Sequence, residues 1–145
     1  MAFTGAAKVA GVIGFPVTHS LSPRLHQYWL RQYEIDGVYI PITMRPEALP
    51  QAIPALPLMG IKGCNLTVPH KEQVLPLVDV LSPVARKIGA ANTLWFEDGK
   101  IYGTNTDAYG FIENIRSSAK AFDITAGAAL VLGAGGQLGR ALQAT

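Results

Sequence analysis

From Gly63 to Lys71 the chain reads Gly-Cys-Asn-Leu-Thr-Val-Pro-His-Lys, and few backbone paths accept that order. Gly60 precedes a short run in which Ile61, Leu66 and Val68 are apolar, and Pro69 sets φ close to what a first helical position needs. The spacing predicts a strand that ends at Thr67–Val68 and turns sharply into a helix, with Pro69 at the first position and Lys71 in the first turn. Unpaired N–H groups point that way, so it is a poor place for a positive charge. Two readings of Lys71 follow. As a surface residue its ammonium would snorkel into water. As part of a site it would lie beside Asn65 and Thr67, two apart on one strand and facing the same way, at the carboxyl end of an α/β sheet where such sheets place their ligands.

The chain has 145 residues, 49% hydrophobic and 15% charged, enough for a core and too apolar for a disordered segment. Its 12 basic and 10 acidic residues are scattered, with no basic block of the kind that binds nucleic acid. The apolar run near the N-terminus is far shorter than the ~20 residues of a bilayer span and lacks a signal-peptide cleavage pattern. The expectation is a cytoplasmic protein with no membrane or nucleic-acid partner. Cys64 is the only cysteine and reads as a small buried hydrophobe. His19, His26 and His70 have no cysteine partner at ligand spacing, so no metal is expected.

Taken in order, Val9 to Phe15 reads as a buried strand that turns at Gly14 and Pro16. Ser22 before Pro23 reads as a helix cap, Leu25, Trp29 and Tyr33 share a helix face, and Gly37 closes that helix. The cap accounts for Ser22 but leaves Ser20 and His19 without a structural task in a tight loop at a strand's carboxyl end. Val38, Ile40 and Ile42 alternate with Tyr39, Pro41 and Thr43 as a second strand, which Pro41 assigns to an edge or a bulge. Pro46, Pro50, Pro54 and Pro57 then interrupt a helical spacing of Leu49, Ile53 and Leu56, predicting a broken helix packed through those residues. Val74, Leu75 and Val78 face inward from the Lys71 helix until Pro76 ends or kinks it. Ser82-Pro83 starts a short helix that Gly89 stops, and Asp98-Gly99 joins two strands, Thr93 to Phe96 and Ile101 to Gly103, as a hairpin. Thr106 or Asp107 would cap a helix striped by Ile112, Ile115 and Ala119 that runs to Phe122. Ala128 to Leu132 is a short apolar strand that leads into Gly133, Ala134, Gly135, Gly136, Gln137 and Leu138. A strand entering a glycine-rich turn and a helix is the opening of a dinucleotide-binding unit, whose backbone N–H groups hold a pyrophosphate. Gly139 comes one place later than the third glycine of that pattern.

Five motifs in series, running from Val-Ile-Gly-Phe-Pro-Val-Thr-His-Ser-Leu-Ser-Pro-Arg-Leu-His through Gly-Cys-Asn-Leu-Thr-Val-Pro-His-Lys, Gly-Ala-Ala-Asn-Thr-Leu and Gly-Thr-Asn-Thr-Asp-Ala-Tyr-Gly-Phe to Gly-Ala-Gly-Gly, resemble the shikimate dehydrogenases from Val9 to Arg140. The resemblance implies an α/β fold: an amino-terminal substrate domain with a mixed sheet flanked by helices, plus the first strand and partial helix of a Rossmann domain. It implies a substrate domain over 1–105, a linker helix over 106–122 and the start of an NADP-binding domain over 123–145. The implied reaction is the reversible NADPH-dependent reduction of 3-dehydroshikimate to shikimate on the way to chorismate and aromatic amino acids. It assigns Ser20, Ser22, Asn65, Thr67, Lys71, Asn92 and Asp107 to the substrate, Lys71 and Asp107 to catalysis, and the loop from Gly133 to Leu138 to NADP.

The chemistry suits those residue types. Hydride transfer to a ketone develops negative charge on oxygen, which a lysine can stabilise and protonate, with an aspartate to hold the amine in place. Hydroxyl and amide side chains suit a polyhydroxylated ring, because a missing ring hydroxyl would leave them unpaired. Members of the family continue beyond the glycine loop, so the chain reads as an amino-terminal fragment whose apolar tail is mobile or drives self-association. Two alternatives remain: a dehydrogenase that also takes quinate, against which the serine pair Ser20 and Ser22 speaks, and a half-enzyme that binds a small molecule without turnover.

Overall fold

In the strand Lys8–Gly14 (β1) apolar and small residues run without a polar break, as suits a strand covered on both faces. The computed structural model describes residues 3–119 together with 123, 126–128, 130, 132, 136 and 139. The helix Ser22–Gln32 (α1) and the strand Gly37–Thr43 (β2) come next, then a 3-10 turn at Pro46–Ala48 and the helix Leu49–Ala55 (α2). A second 3-10 turn, Pro57–Met59, leads to the strand Ile61–Leu66 (β3) and the single-turn helix His70–Gln73 (α3). A third, Leu75–Leu77, is followed by the strand Val80–Leu81 (β4) and the helix Pro83–Ile88 (α4). The hairpin strands Thr93–Glu97 (β5) and Lys100–Thr104 (β6) and the helix Asp107–Ser118 (α5) complete the order.

The strands form one six-stranded mixed sheet in the order β2-β1-β3-β5-β6-β4. β1 lies parallel between β2 and β3, while β5 is antiparallel to both β3 and β6. β2 is an edge strand, which is where Pro41 can sit without removing a ladder bond. The main core fills one face, where Leu49, Ile53 and Leu56 of the proline-broken segment meet Ile13, Leu66 and Leu94 of the sheet. Leu49 and Ile53 are fully buried, each worth about 1.5–3 kcal/mol.

The ends of the elements show where local signals mislead. Ser22 is the first residue of α1 and not its cap: Leu21 occupies the cap position, and the Ser22 N–H donates to Ser20 Oγ at 3.3 Å. Gly37 belongs to β2. α1 closes earlier, where Glu34 takes φ +52° and the N–H groups of Glu34 and Ile35 donate to the carbonyls of Arg31 and Leu30, the paired bonds of a Schellman ending. The face shared by Leu25, Trp29 and Tyr33 is exposed, and Leu30 is the α1 residue packed toward the sheet. In β2 the alternation is the reverse of the apolar reading, with Tyr39 buried and Ile40 exposed. Pro69 occupies the cap position of α3, which starts at His70, and the Val68–Pro69 bond is cis. Of the inward residues after it, Val74 closes α3, Leu75 lies on the 3-10 turn and Val78 ends that turn, since Pro76 leaves no room for a longer helix.

Ser82 does cap α4, its Oγ accepting the Ala85 N–H at 3.2 Å, and Gly89 closes the helix at φ +73°. Asp98 and Gly99 both adopt positive φ, the geometry a two-residue hairpin turn needs. α5 ends at Ser118, short of Phe122, which lies outside the described residues. Neither Thr106 nor Asp107 caps it through a side chain. No helix among the described residues is long and apolar enough to cross a membrane. The expected strand at 128–132 is described only in part, and its Leu130 and Leu132 are 87% and 86% exposed.

Candidate active site

The carboxyl ends of β1 and β3 stay paired one step past the strands: Thr67 N–H donates to the Ile13 carbonyl at 2.9 Å and Phe15 N–H to that of Val68 at 3.1 Å. Thr67 thereby lines the same cavity as Ser20, in the loop before α1, and Ser22, the first residue of that helix. α3 is one turn long, too short to order itself, so its place is set by its neighbours. His70 is fully buried and its Nε2–H donates to the Met44 carbonyl at 2.8 Å. The Lys71 carbonyl accepts the Ala91 N–H at 2.8 Å. Lys71 is thus fixed from two sides, although a one-turn helix gives little of the terminal field that a longer one would.

Asp107 reaches the same point from α5, whose first turn is anchored by Ala108 packing against Ile88 and Ala90. Asn105 Oδ1 accepts the Asp107 N–H at 2.9 Å, which leaves the carboxylate for other work. Lys71 Nζ donates to Asp107 Oδ2 at 2.8 Å in a half-buried ion pair. Asn92 Nδ2 donates to the other oxygen, Oδ1, at 2.8 Å and to Thr106 Oγ1 at 2.9 Å. Both amide hydrogens of Asn92 are therefore engaged within the chain.

Asn65 lies opposite Thr93 in the β3/β5 ladder. Its Nδ2 donates to Thr93 Oγ1 at 3.0 Å and to the Asn92 carbonyl at 3.3 Å, and its Oδ1 accepts the Tyr39 hydroxyl at 2.6 Å. Tyr39 is buried and stacked on His26, ring centroids 3.9 Å apart, while His26 Nδ1–H donates to the Ser22 carbonyl at 2.9 Å. Burial, with Cys64 close by, pushes the Tyr39 phenol well above its ordinary range, so it remains a donor. The Cys64 thiol is pushed up to about 12 by burial, which makes it an inert core group. Burial lowers the His70 imidazole from its ordinary value against the opposing pull of the Met44 carbonyl, and its Nδ1 has no hydrogen-bond partner.

These side chains enclose an open cavity of about 370 Å³, within the usual range for small-molecule sites. Ser20, Ser22, Asn65, Thr67, Lys71, Asn92 and Asp107, all singled out from the sequence, line it together with Val12, His26, Leu66 and Thr106. Sequence reasoning missed Tyr39, His26 and Thr93. A signal for Tyr39 exists: Ala10 is its partner on β1, small enough for a phenol to pass over toward Asn65 on the strand beyond. Gly133, Ala134, Gly135, Gln137 and Leu138 lie outside the described residues, and Gly136 is an exposed bend. Among the described residues no group of three His, Cys, Asp or Glu could hold a metal ion.

Residues 12–94 match the model of the shikimate dehydrogenase substrate binding domain, more than half of the chain. The chain belongs to that family. A shikimate dehydrogenase (NADP(+)) of Paramagnetospirillum magneticum is 56% identical over 92% of the chain and 49% of its own length. The shikimate dehydrogenase structure from Aquifex aeolicus superposes with a TM-score of 0.91 at 39% identity, over 99% of the chain and 53% of that protein. The Thermus thermophilus enzyme solved with NADP(H) and shikimate gives 0.86 at 39% identity, over 94% and 51%. The chain spans about half the length of the curated relatives it matches. As a member of this family it carries the mixed α/β substrate domain read from its motifs.

Proposed function

We propose that this chain is the substrate half of an NADP-dependent shikimate dehydrogenase, that its cavity takes shikimate and 3-dehydroshikimate, and that Lys71 and Asp107 handle the proton. The observation that carries the reading is the 2.8 Å Lys71–Asp107 pair at a cavity lined by Ser20, Ser22 and Thr67 hydroxyls. Hydroxyls donate and accept, so they can meet ring hydroxyls and a carboxylate alike. Lys71 would stabilise the oxygen as the carbonyl is reduced and give it a proton, and in reverse would take the alcohol's proton. Asp107 keeps the ammonium aimed, and Asn65 and Asn92 form the polar floor against which the ring is held. NADP(H) supplies or removes the hydride when bound, and the loop from Gly133 to Leu138 is the part of this chain that would hold it.

The reading includes a division into a substrate domain over 1–105, a linker helix over 106–122 and a nucleotide-binding start over 123–145. It also includes work in the cytoplasm, in keeping with a buried, unpaired Cys64. Relatives named for this activity and a related structure solved with shikimate and NADP(H) support it.

The test has two arms. Shikimate titrated into this chain should shift the backbone amide resonances of Ser20, Thr67 and Lys71 in nuclear magnetic resonance spectra, and Ser20→Ala should weaken the binding. In the enzyme that contains the chain, initial rates with shikimate and quinate under NADP and NAD should favour shikimate and NADP. A preference for quinate would refute the narrower substrate, and binding with no turnover would favour the half-enzyme.

A further inference from the structure

We propose that Thr93 and Tyr39, neither of which lines the catalytic pair, are positioning residues for Lys71 and Asp107 that act through the amides of Asn65 and Asn92. The inference rests on the catalytic reading of that pair. It comes from the directions of the hydrogen bonds. Asn92 can be oriented in only one way, because its Nδ2 faces the Asp107 carboxylate while its Oδ1 faces the Thr106 N–H at 3.1 Å. A carboxylate only accepts and a backbone N–H only donates. Asn65 is fixed in the same manner, since its Nδ2 faces the Asn92 carbonyl. Thr93 Oγ1 accepts from Asn65, so its own hydrogen is directed to Asn92 Oδ1, 2.9 Å away.

The result is a one-way series of donors: Tyr39 hydroxyl to Asn65, Asn65 to Thr93, Thr93 to Asn92, and Asn92 to Asp107. Each donor is made stronger by the bond it accepts, and the series ends on a carboxylate. The source of the series is held in place, because the Tyr39 ring is buried and stacked on His26. Burial keeps its hydroxyl protonated, so it remains a donor. Asp107 Oδ1 is thereby held from the β5 side while Oδ2 holds Lys71. If Thr93 could not donate, the shortest of the three bonds onto Asn92 Oδ1 would be lost and the amide would be held less firmly. Such loosening would misdirect the carboxylate and, with it, the ammonium that must meet the reacting oxygen.

The decisive variant is Thr93→Val, which keeps the shape and removes the hydroxyl, with Thr93→Ser as the conservative rescue. In this chain, hydrogen exchange of the Asn92 side-chain amide should accelerate about tenfold in Thr93→Val, the scale of one buried hydrogen bond, and return in Thr93→Ser. Backbone exchange in β3 and β5 should be unchanged. Tyr39→Phe keeps the stack and should loosen the Asn65 amide, and it takes over the test should Thr93→Val fail to fold. In the enzyme, Thr93→Val should lower kcat about tenfold and leave KM for shikimate within about twofold. Unchanged side-chain exchange overturns the inference whatever the activity, as does loosened exchange with an unchanged kcat. A wild-type enzyme without shikimate turnover would refute the catalytic reading instead, while the exchange data still decide whether the series orders Asn92.

Discussion

Lys71 is placed by bonds at both its ends, and its contribution should belong to the transition state. Lys71→Ala in the enzyme is expected to lower kcat by roughly 10²–10⁴-fold with little change in KM, the range of a general acid–base group. Steady-state kinetics beside melting curves check this, and turnover within about threefold of wild type would remove the lysine from the mechanism. Asp107→Asn should lower kcat in the same manner and cost little stability, since its carboxylate does not cap α5. His70 titrates next to this pair. In the unfolded chain it takes up a proton near its ordinary value of 6.5, while burial holds the folded value lower. Between those values the unfolded chain binds more protons, so stability rises with pH. The contribution is present above about pH 6.5 and is lost as pH falls through the folded value. Urea midpoints at several pH values should show this slope, and His70→Gln, which keeps a donor for the Met44 carbonyl, should flatten it. At this scale Ser20, Asn65, Thr67 and Lys71 were legible because they gather at the carboxyl ends of β1 and β3, whereas Ser22, Asn92 and Asp107 were assigned only through the family resemblance. Tyr39 was not legible, since alternation in β2 assigned it outward, and only its polar partner two strands away explains why it is buried. Asp107 looked like a cap because a cap and the carboxylate proposed for catalysis share one sequence signal, and Asn105 does the local work instead.

Among the elements, the junction of β3 and β5 is the tightest constraint. A Cβ added to Gly63 would lie 2.7 Å from the Leu94 carbonyl oxygen, a backbone atom that cannot step aside without moving the ladder. Gly63→Ala is therefore expected to destabilise the chain by about 1–3 kcal/mol, the cost of overpacking, as measured by urea denaturation. Because Asn65 and Thr93 form the rung two residues along the same ladder, the same change should disturb the site. Ser82, Gly89 and the Asp98-Gly99 turn were readable because each uses one local bond or one positive φ. The end of α1 was not, because Glu34 occupies the left-handed position where glycine is the usual signal, and the nearest glycine is already in β2. The two-residue β4 has too little sequence to carry a period.

For the whole molecule, Leu130 and Leu132 present nearly all their surface to water, and the Leu25, Trp29 and Tyr33 face of α1 is open as well. Apolar surface of that kind favours association. The chain alone should therefore gain mass with concentration in light scattering, and Leu130→Gln with Leu132→Gln should reduce it; a mass that stays at one chain throughout would refute this. The order of the sheet was not legible, because nothing local tells β5 to insert beside β3 in place of β4. That insertion ties chemistry to alignment. β3 and β5 pair over three rungs, Gly63 with Trp95, Cys64 with Leu94 and Asn65 with Thr93, and alternate side chains point to opposite faces. A slip by one residue would face Asn65 with Leu94 and turn the Thr93 hydroxyl out of the site. No misaligned form of this sheet could keep the proposed site, so shikimate binding measured in any refolded sample would also count the molecules that closed in register.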